Sequence, residues 1–167
     1  YTIEHLLSSL AGCGLSYIHF EVEGKEIPLL DGSAIEWVRS FEEVGIKKVP
    51  KPTNFMKEIN EPKIFNKNSS VIAATPSSKL TIVSTIDFPY EAIGKQTFVI
   101  DLNPKCFVEM IAPARTFGFK DQFEELSELG LIKGGSLENA LVCDGDKWVN
   151  PPLRFDNEPI RHKILDL

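Results

Sequence analysis

Two residue pairs near opposite ends of the chain carry the strongest chemical signal. His162 and Asp166 are four residues apart, a spacing that stacks both side chains on one face of a helix, within reach of a single cation. The same spacing also describes an ordinary exposed helix pair, and the pattern alone leaves both readings open. Glu4 and His5 are adjacent in the first turn of a predicted helix, where the helix N-terminus favours a carboxylate with no catalytic role required. A functional reading joins the two pairs, with His5, His162 and Asp166 as metal ligands and Glu4 as general base. Catalytic zinc sites keep three protein ligands and one open position, and two histidines with a carboxylate are a recognised set. Zinc lowers the pKa of bound water towards about 7, so a neighbouring glutamate can complete its deprotonation. The third histidine, His19, sits on the outward side of an alternating segment beside Glu21 and Glu23 and reads as a solvated surface side chain.

Elements that could position these residues follow from periodicity. Ile3, Leu6, Leu7 and Leu10 fall at helical spacing over 2–10, with Gly12 and Gly14 as stop signals. Tyr17 to Glu23 alternates apolar and polar residues, which predicts a half-exposed strand. The Asp31-Gly32-Ser33 turn leads into a helix over 34–44 closed by Gly45. The run Lys47-Lys48-Val49-Pro50-Lys51-Pro52 has the composition of a linker, dividing the chain into 1–47 and 48–167. Beyond it, short strands are predicted at 63–65, 71–74, 80–86 and 97–101, together forming an antiparallel sheet. Asn103-Pro104 caps a helix over 106–111 that Pro113 ends, a further helix spans 121–129, a strand returns at 140–143, and Asn157-Glu158-Pro159 opens a final helix. That helix has about two turns and no stop signal, against a usual length of about 11–12 residues. The first helix starts almost at residue 1, so the chain is expected to be an excerpt of a longer protein or a shortened relative.

Bulk properties exclude several classes. With 167 residues and 43% hydrophobic content the chain can bury a core, and the expected class is α+β. A net charge of −6 argues against a nucleic-acid partner, which needs a lysine and arginine excess. No stretch approaches the roughly 18–20 apolar residues of a membrane span. Cys13, Cys106 and Cys143 are odd in number and far apart, which suggests neither a disulfide framework nor a cysteine zinc site and points to a reducing compartment.

Six motifs then resemble one family in order and approximate spacing. Tyr1-Thr2-Ile3-Glu4-His5-Leu6-Leu7, Glu26-Ile27-Pro28-Leu29-Leu30-Asp31-Gly32-Ser33, Ile86-Asp87-Phe88-Pro89, Ala114-Arg115-Thr116-Phe117-Gly118-Phe119, Gly134-Gly135-Ser136 and Arg161-His162-Lys163-Ile164-Leu165-Asp166 are similar to the UDP-3-O-acyl-N-acetylglucosamine deacetylases of lipid A synthesis. The resemblance implies two lobes, each a β-sheet layered with α-helices, both incomplete here, with zinc between them. It implies zinc on His5, His162 and Asp166, Glu4 as base, Thr116 as a donor to the oxyanion, and Lys163 facing the nucleotide or phosphate part of a UDP-linked acylated amino sugar. It also implies an apolar acyl passage of Phe117, Phe123, Ile132, Leu137, Ala140 and Val142, residues that composition alone would place in a core. No protein partner is implied, and the location is cytoplasmic or a plant organelle.

The family's N-terminal strands and a later acid-base histidine in a Gly-His context have no counterpart in the sequence. Two functions therefore stand: a zinc-dependent hydrolase releasing acetate from the amino sugar, or a shortened non-catalytic relative that keeps the fold, with or without the metal, as a binding or regulatory module.

Overall fold

The computed structural model describes residues 1–47, 58–122 and 136–167. Helix α1 spans Glu4–Gly12, with Glu4 in its first turn. Its buried face is His5, Leu6 and Ser9, and the Ser9 hydroxyl donates to the Leu6 carbonyl at 2.7 Å. Ile3 and Leu7, although at helical spacing, are exposed. Helix α2 spans Ile35–Val44, buries Val38 and ends at Gly45, whose φ of 84° suits a residue without a Cβ.

The segment from Tyr17 to Glu23 is not a strand, contrary to its alternation. Alternation defines two faces, but a ladder also requires a partner. Among the described residues this segment has none. Ile18, Phe20 and Val22 instead border a cavity of about 380 Å³ with Leu6, Ile27, Trp37 and Phe41.

The predicted single antiparallel sheet is also corrected. Among the described residues three small sheets form instead: β1 (Lys63–Lys67) with β2 (Ser70–Ala74), β3 (Thr81–Asp87) with β4 (Lys95–Asp101), and β5 (Phe117–Phe119), β6 (Leu141–Asp144) and β7 (Lys147–Trp148). The first two are antiparallel hairpins, in register from Lys63 opposite Ala74 and from Thr81 opposite Asp101. In the third sheet β5 and β6 are parallel, Phe117 opposite Leu141. More than a dozen residues separate them, enough for the crossover that parallel pairing demands. The helix expected over 121–129 and the linker from Lys48 onward lie almost wholly outside the described residues.

Helix α3 (Pro104–Cys106) starts as Asn103 predicts, the Asn103 Oδ1 accepting the Cys106 N–H at 3.0 Å. It continues into a π-helical turn, Phe107–Ile111, marked by the Ala112 N–H donating to the Phe107 carbonyl. Helix α4 spans Glu158–Leu165. Its apolar residues Ile164 and Leu165 join Ala34, Val38, Ile100, Phe107, Ile111 and Ala112 in one core. α4 is therefore covered on several sides, which stabilises a helix too short to persist alone. No helix among the described residues is long and apolar enough to cross a membrane.

Gly32 joins the turn before α2 to the strand region. Its carbonyl accepts the Thr116 N–H at 2.7 Å, its φ is +80°, and a Cβ there would stand 1.7 Å from the Asn139 carbonyl oxygen. Gly14 shares a positive φ, but a Cβ there meets nothing within 4 Å. Urea unfolding should show Gly14→Ala costing about 1 kcal/mol from backbone conformation alone, and Gly32→Ala costing more than about 3 kcal/mol because two backbone segments must separate. Equal costs for the two substitutions would contradict this account of the close approach.

Candidate functional site

The start of α1 and the last turns of α4 meet in the interior. His5 and His162 are 1% and 2% exposed, and their rings lie edge to face with centroids 5.1 Å apart. The entry into α1 is fixed by the Thr2 hydroxyl, which donates to the Ile27 carbonyl at 2.8 Å, and by the Ile27 N–H, which donates to the Tyr1 carbonyl. Thr2 adopts a φ of 56°, which β-branched residues rarely hold without such restraint.

His162 Nδ1 lies 2.9 Å from the Ala114 carbonyl oxygen. A carbonyl only accepts, so Nδ1 carries the proton and Nε2 keeps its lone pair. That nitrogen lies 3.6 Å from Asp166 Oδ1. Two acceptors face one another there, an arrangement that a proton or another cation between them stabilises. A proton is a poor candidate at neutral pH: burial draws His162 down to about 4, outweighing the opposing influence of Asp166 and the Ala114 hydrogen bond. Burial also lowers His5, against the pull of the Glu4, Asp166 and Asp31 carboxylates.

His5 supplies an independent indication. Both its ring nitrogens are buried, and neither has a hydrogen-bond partner among the described residues. An orphaned buried imidazole is costly, and a cation bound through one nitrogen relieves part of that cost. The proximity is pairwise, His5 against His162 and His162 against Asp166. Among the described residues no three His, Cys, Asp or Glu side chains already stand in metal-holding geometry. The donor set nevertheless fits zinc: two neutral imidazoles with free lone pairs and one carboxylate.

Around this cluster, Lys163 Nζ donates to Asp166 Oδ2 at 2.9 Å and stands 5.6 Å over the Phe117 ring. Phe117 contacts Phe88 and Phe119, and Phe119 stacks on Tyr90 with centroids 4.2 Å apart. Thr116 follows the Ala114–Arg115 peptide and is tied by its N–H to Gly32 and by its carbonyl to the Leu141 N–H. Glu4 is exposed at the mouth of α1 beside His5. The structure thus gathers His5, His162, Asp166 and Lys163, with Glu4 next to His5 and Phe117 under Lys163.

The acyl-passage residues are less uniform. Ala140 and Val142 are buried core residues, Phe117 is half-buried, and Leu137 is 54% exposed. Phe123 and Ile132 lie outside the described residues. None of the four described residues lines the cavity bordered by Ile18, Phe20 and Val22.

Sequence reasoning missed the polar framework behind the cluster. Glu158, fully buried, accepts the Arg115 N–H and Nε at 2.9 Å on Oε1, and the Arg115 guanidinium at 3.2 Å and the Arg154 N–H at 2.6 Å on Oε2. The Arg154 guanidinium continues to Asp31 Oδ2 at 2.8 Å and the Pro113 carbonyl at 2.8 Å. Asp31 in turn accepts the Ser33 N–H and hydroxyl. These contacts join residues 43 and 123 positions apart. The one local signal was Glu158, one turn before His162 on the same helix.

Comparison with known proteins identifies the family. A family model described as UDP-3-O-acyl N-acetylglycosamine deacetylase matches residues 1–167. A UDP-3-O-acyl-N-acetylglucosamine deacetylase of Nostoc sp. is 51% identical over 99% of this chain and 61% of its own length. One from Synechocystis sp. is 47% identical over 99% of this chain and 60% of its own. A probable mitochondrial UDP-3-O-acyl-N-acetylglucosamine deacetylase of Arabidopsis thaliana is 41% identical over 99% and 56%. The chain spans about three fifths of the length of these curated relatives. The continuous match from first residue to last shows that the chain belongs to the UDP-3-O-acyl N-acetylglycosamine deacetylase family.

Proposed function

We propose that this chain carries the hydrolytic site of a zinc-dependent deacetylase that removes the N-acetyl group of UDP-3-O-acyl-N-acetylglucosamine as acetate, in lipid A biosynthesis. The observation that carries the reading is the His162 ring, whose Nδ1 is committed to the Ala114 carbonyl while its Nε2 lone pair faces Asp166 beside the unpartnered His5. His5, His162 and Asp166 would hold the zinc, which supplies Lewis acidity for amide hydrolysis when bound.

The remaining work falls to side chains around that set. Glu4, one residue before His5, accepts the proton of the attacking water on its carboxylate. The Thr116 hydroxyl donates to the carbonyl oxygen as negative charge develops there, a task best done by a donor fixed in advance. Its backbone is so fixed, between Gly32 and Leu141. The Lys163 ammonium, poised between Asp166 and the Phe117 ring, offers a cation to the nucleotide phosphates. Phe117, Ala140, Val142 and Leu137, with Phe123 and Ile132, form the acyl passage in this reading. The two-lobe layout, 1–47 and 48–167, belongs to the same proposal and rests on the linker-like run that begins at Lys47.

Two outcomes are expected. Acetate release from the UDP-linked substrate, followed by a coupled assay, should fall at least about 100-fold in Glu4→Gln while zinc content per chain stays at the wild-type level. Undiminished release would remove Glu4 from the reaction, and no release from the wild type would favour the non-catalytic module.

The second outcome concerns pH. In metal-free protein the folded pKa of His162 lies below its unfolded value of 6.5, so the unfolded chain binds more protons as pH falls through that range. The stability contributed by neutral His162 is complete above about 6.5 and declines on acidification towards 4. Unfolding free energy of chelator-treated protein should therefore drop between pH 6.5 and 5, by up to about 1.4 kcal/mol per unit for one proton. A flat profile over that interval would mean that the ring is not held neutral by burial.

A further inference from the structure

One peptide group links Glu158 to His162. The Ala114 carbonyl and the Arg115 N–H belong to the same peptide unit: the carbonyl accepts the His162 Nδ1–H at 2.9 Å, and the N–H donates to Glu158 Oε1 at 2.9 Å. Both side chains that grip it come from α4, four residues and therefore one turn apart. The peptide lies across one face of that helix, held at its positive end by a carboxylate and at its negative end by an imidazole N–H.

We propose that Glu158 is a positioning residue for the His162 ligand, acting through the Ala114–Arg115 peptide. A peptide plane is rigid, so fixing its N–H direction also fixes its C=O direction. A full negative charge on the N–H side polarises the group and strengthens the carbonyl as an acceptor, as hydrogen bonds in series do in a low-dielectric interior. The consequence for His162 is a locked tautomer: Nδ1 protonated, Nε2 free, and the ring aimed at Asp166. Orientation of a histidine ligand through its second nitrogen is a general way of tuning metal affinity. Here the carbonyl that orients the ring is itself oriented by a buried ion pair.

The remaining contacts of Glu158 fit this role. The Arg115 guanidinium and the Arg154 N–H occupy the rest of its lone pairs, so the direction of the carboxylate towards the Arg115 N–H is set. Arg154 has a separate function. Its side chain ties Asp31 and the Pro113 carbonyl, whereas its link to Glu158 runs through its backbone and survives side-chain replacement. Arg154→Met therefore weakens the framework without touching the clamped peptide.

The inference rests on the metal reading only for its effect on affinity, and the test separates the two. Nitrogen NMR of ¹⁵N-histidine-labelled, chelator-treated protein at neutral pH reads the tautomer directly. Wild type and Arg154→Met should show His162 with pyrrole-like Nδ1 and pyridine-like Nε2. Glu158→Gln, which keeps the shape but loses the charge and one acceptor oxygen, should show a mixture of tautomers. Competition with a chromogenic chelator should then give a zinc Kd about 10–100-fold weaker in Glu158→Gln than in wild type, with Arg154→Met within about threefold of wild type. Glu158→Gln with an unchanged tautomer and unchanged zinc affinity would overturn the proposal. Should that variant not fold, the wild type still decides: the Arg115 amide must resist hydrogen exchange and His162 must be the Nδ1–H tautomer, and failure of either overturns it. A wild type with the expected tautomer but no affinity for zinc would defeat the metal reading and leave the clamp standing.

Discussion

A carboxylate with no solvent exposure is the constraint around which this structure is arranged. Glu158 is fully buried, and an ion in that position is tolerated only when its lone pairs are occupied by strong donors. Two come from the backbone N–H groups of Arg115 and Arg154 and the others from the Arg115 guanidinium. Meeting that requirement brings two separate loops onto the start of α4 and leaves the Ala114 carbonyl over His162. The Arg154 guanidinium carries the constraint on to Asp31 and so to the turn before α2. Removing the carboxylate would take their acceptor from the two backbone donors and leave the Arg115 guanidinium to its contact with the Pro152 carbonyl.

The chemistry of the cluster follows from the same burial. Desolvation holds both imidazoles neutral, which is the state in which they can ligate a cation. The Ala114 carbonyl decides which nitrogen of His162 remains available, and Asp166 stands on that side. Lys163 and the aromatic group at Phe117, Phe88, Phe119 and Tyr90 form the adjoining wall. A positive charge beside apolar rings, next to two imidazoles and a carboxylate, supports the proposed substrate, which combines phosphate, sugar and acyl parts.

The candidate ligand residues could be proposed from the sequence because each pair is local. Glu4 and His5 are neighbours, and His162 and Asp166 are one helical turn apart. Their meeting across the chain was legible only through the family motifs, since no periodicity reports a contact between residues 5 and 162. Helices were read well where caps were explicit, as at Asn103 and Gly45. Strands were read by face but not by partner. Tyr17 to Glu23 has the right alternation and no ladder among the described residues, while Phe117 to Phe119, too short to show a pattern, pairs in parallel with residues beyond a long crossover. The Glu158, Arg115, Arg154 and Asp31 framework was invisible for a related reason: charged residues far apart in sequence read as surface until burial shows otherwise.

The central claim is that His5, His162 and Asp166 converge on one divalent cation. Its most direct test is a zinc titration of the chelator-treated protein, followed by the ring resonances of its three histidines. The account predicts saturation at one zinc per chain, with the His5 and His162 signals shifting together and exposed His19 unchanged. Saturation that leaves either buried ring unperturbed, or no stoichiometric binding at all, would contradict it.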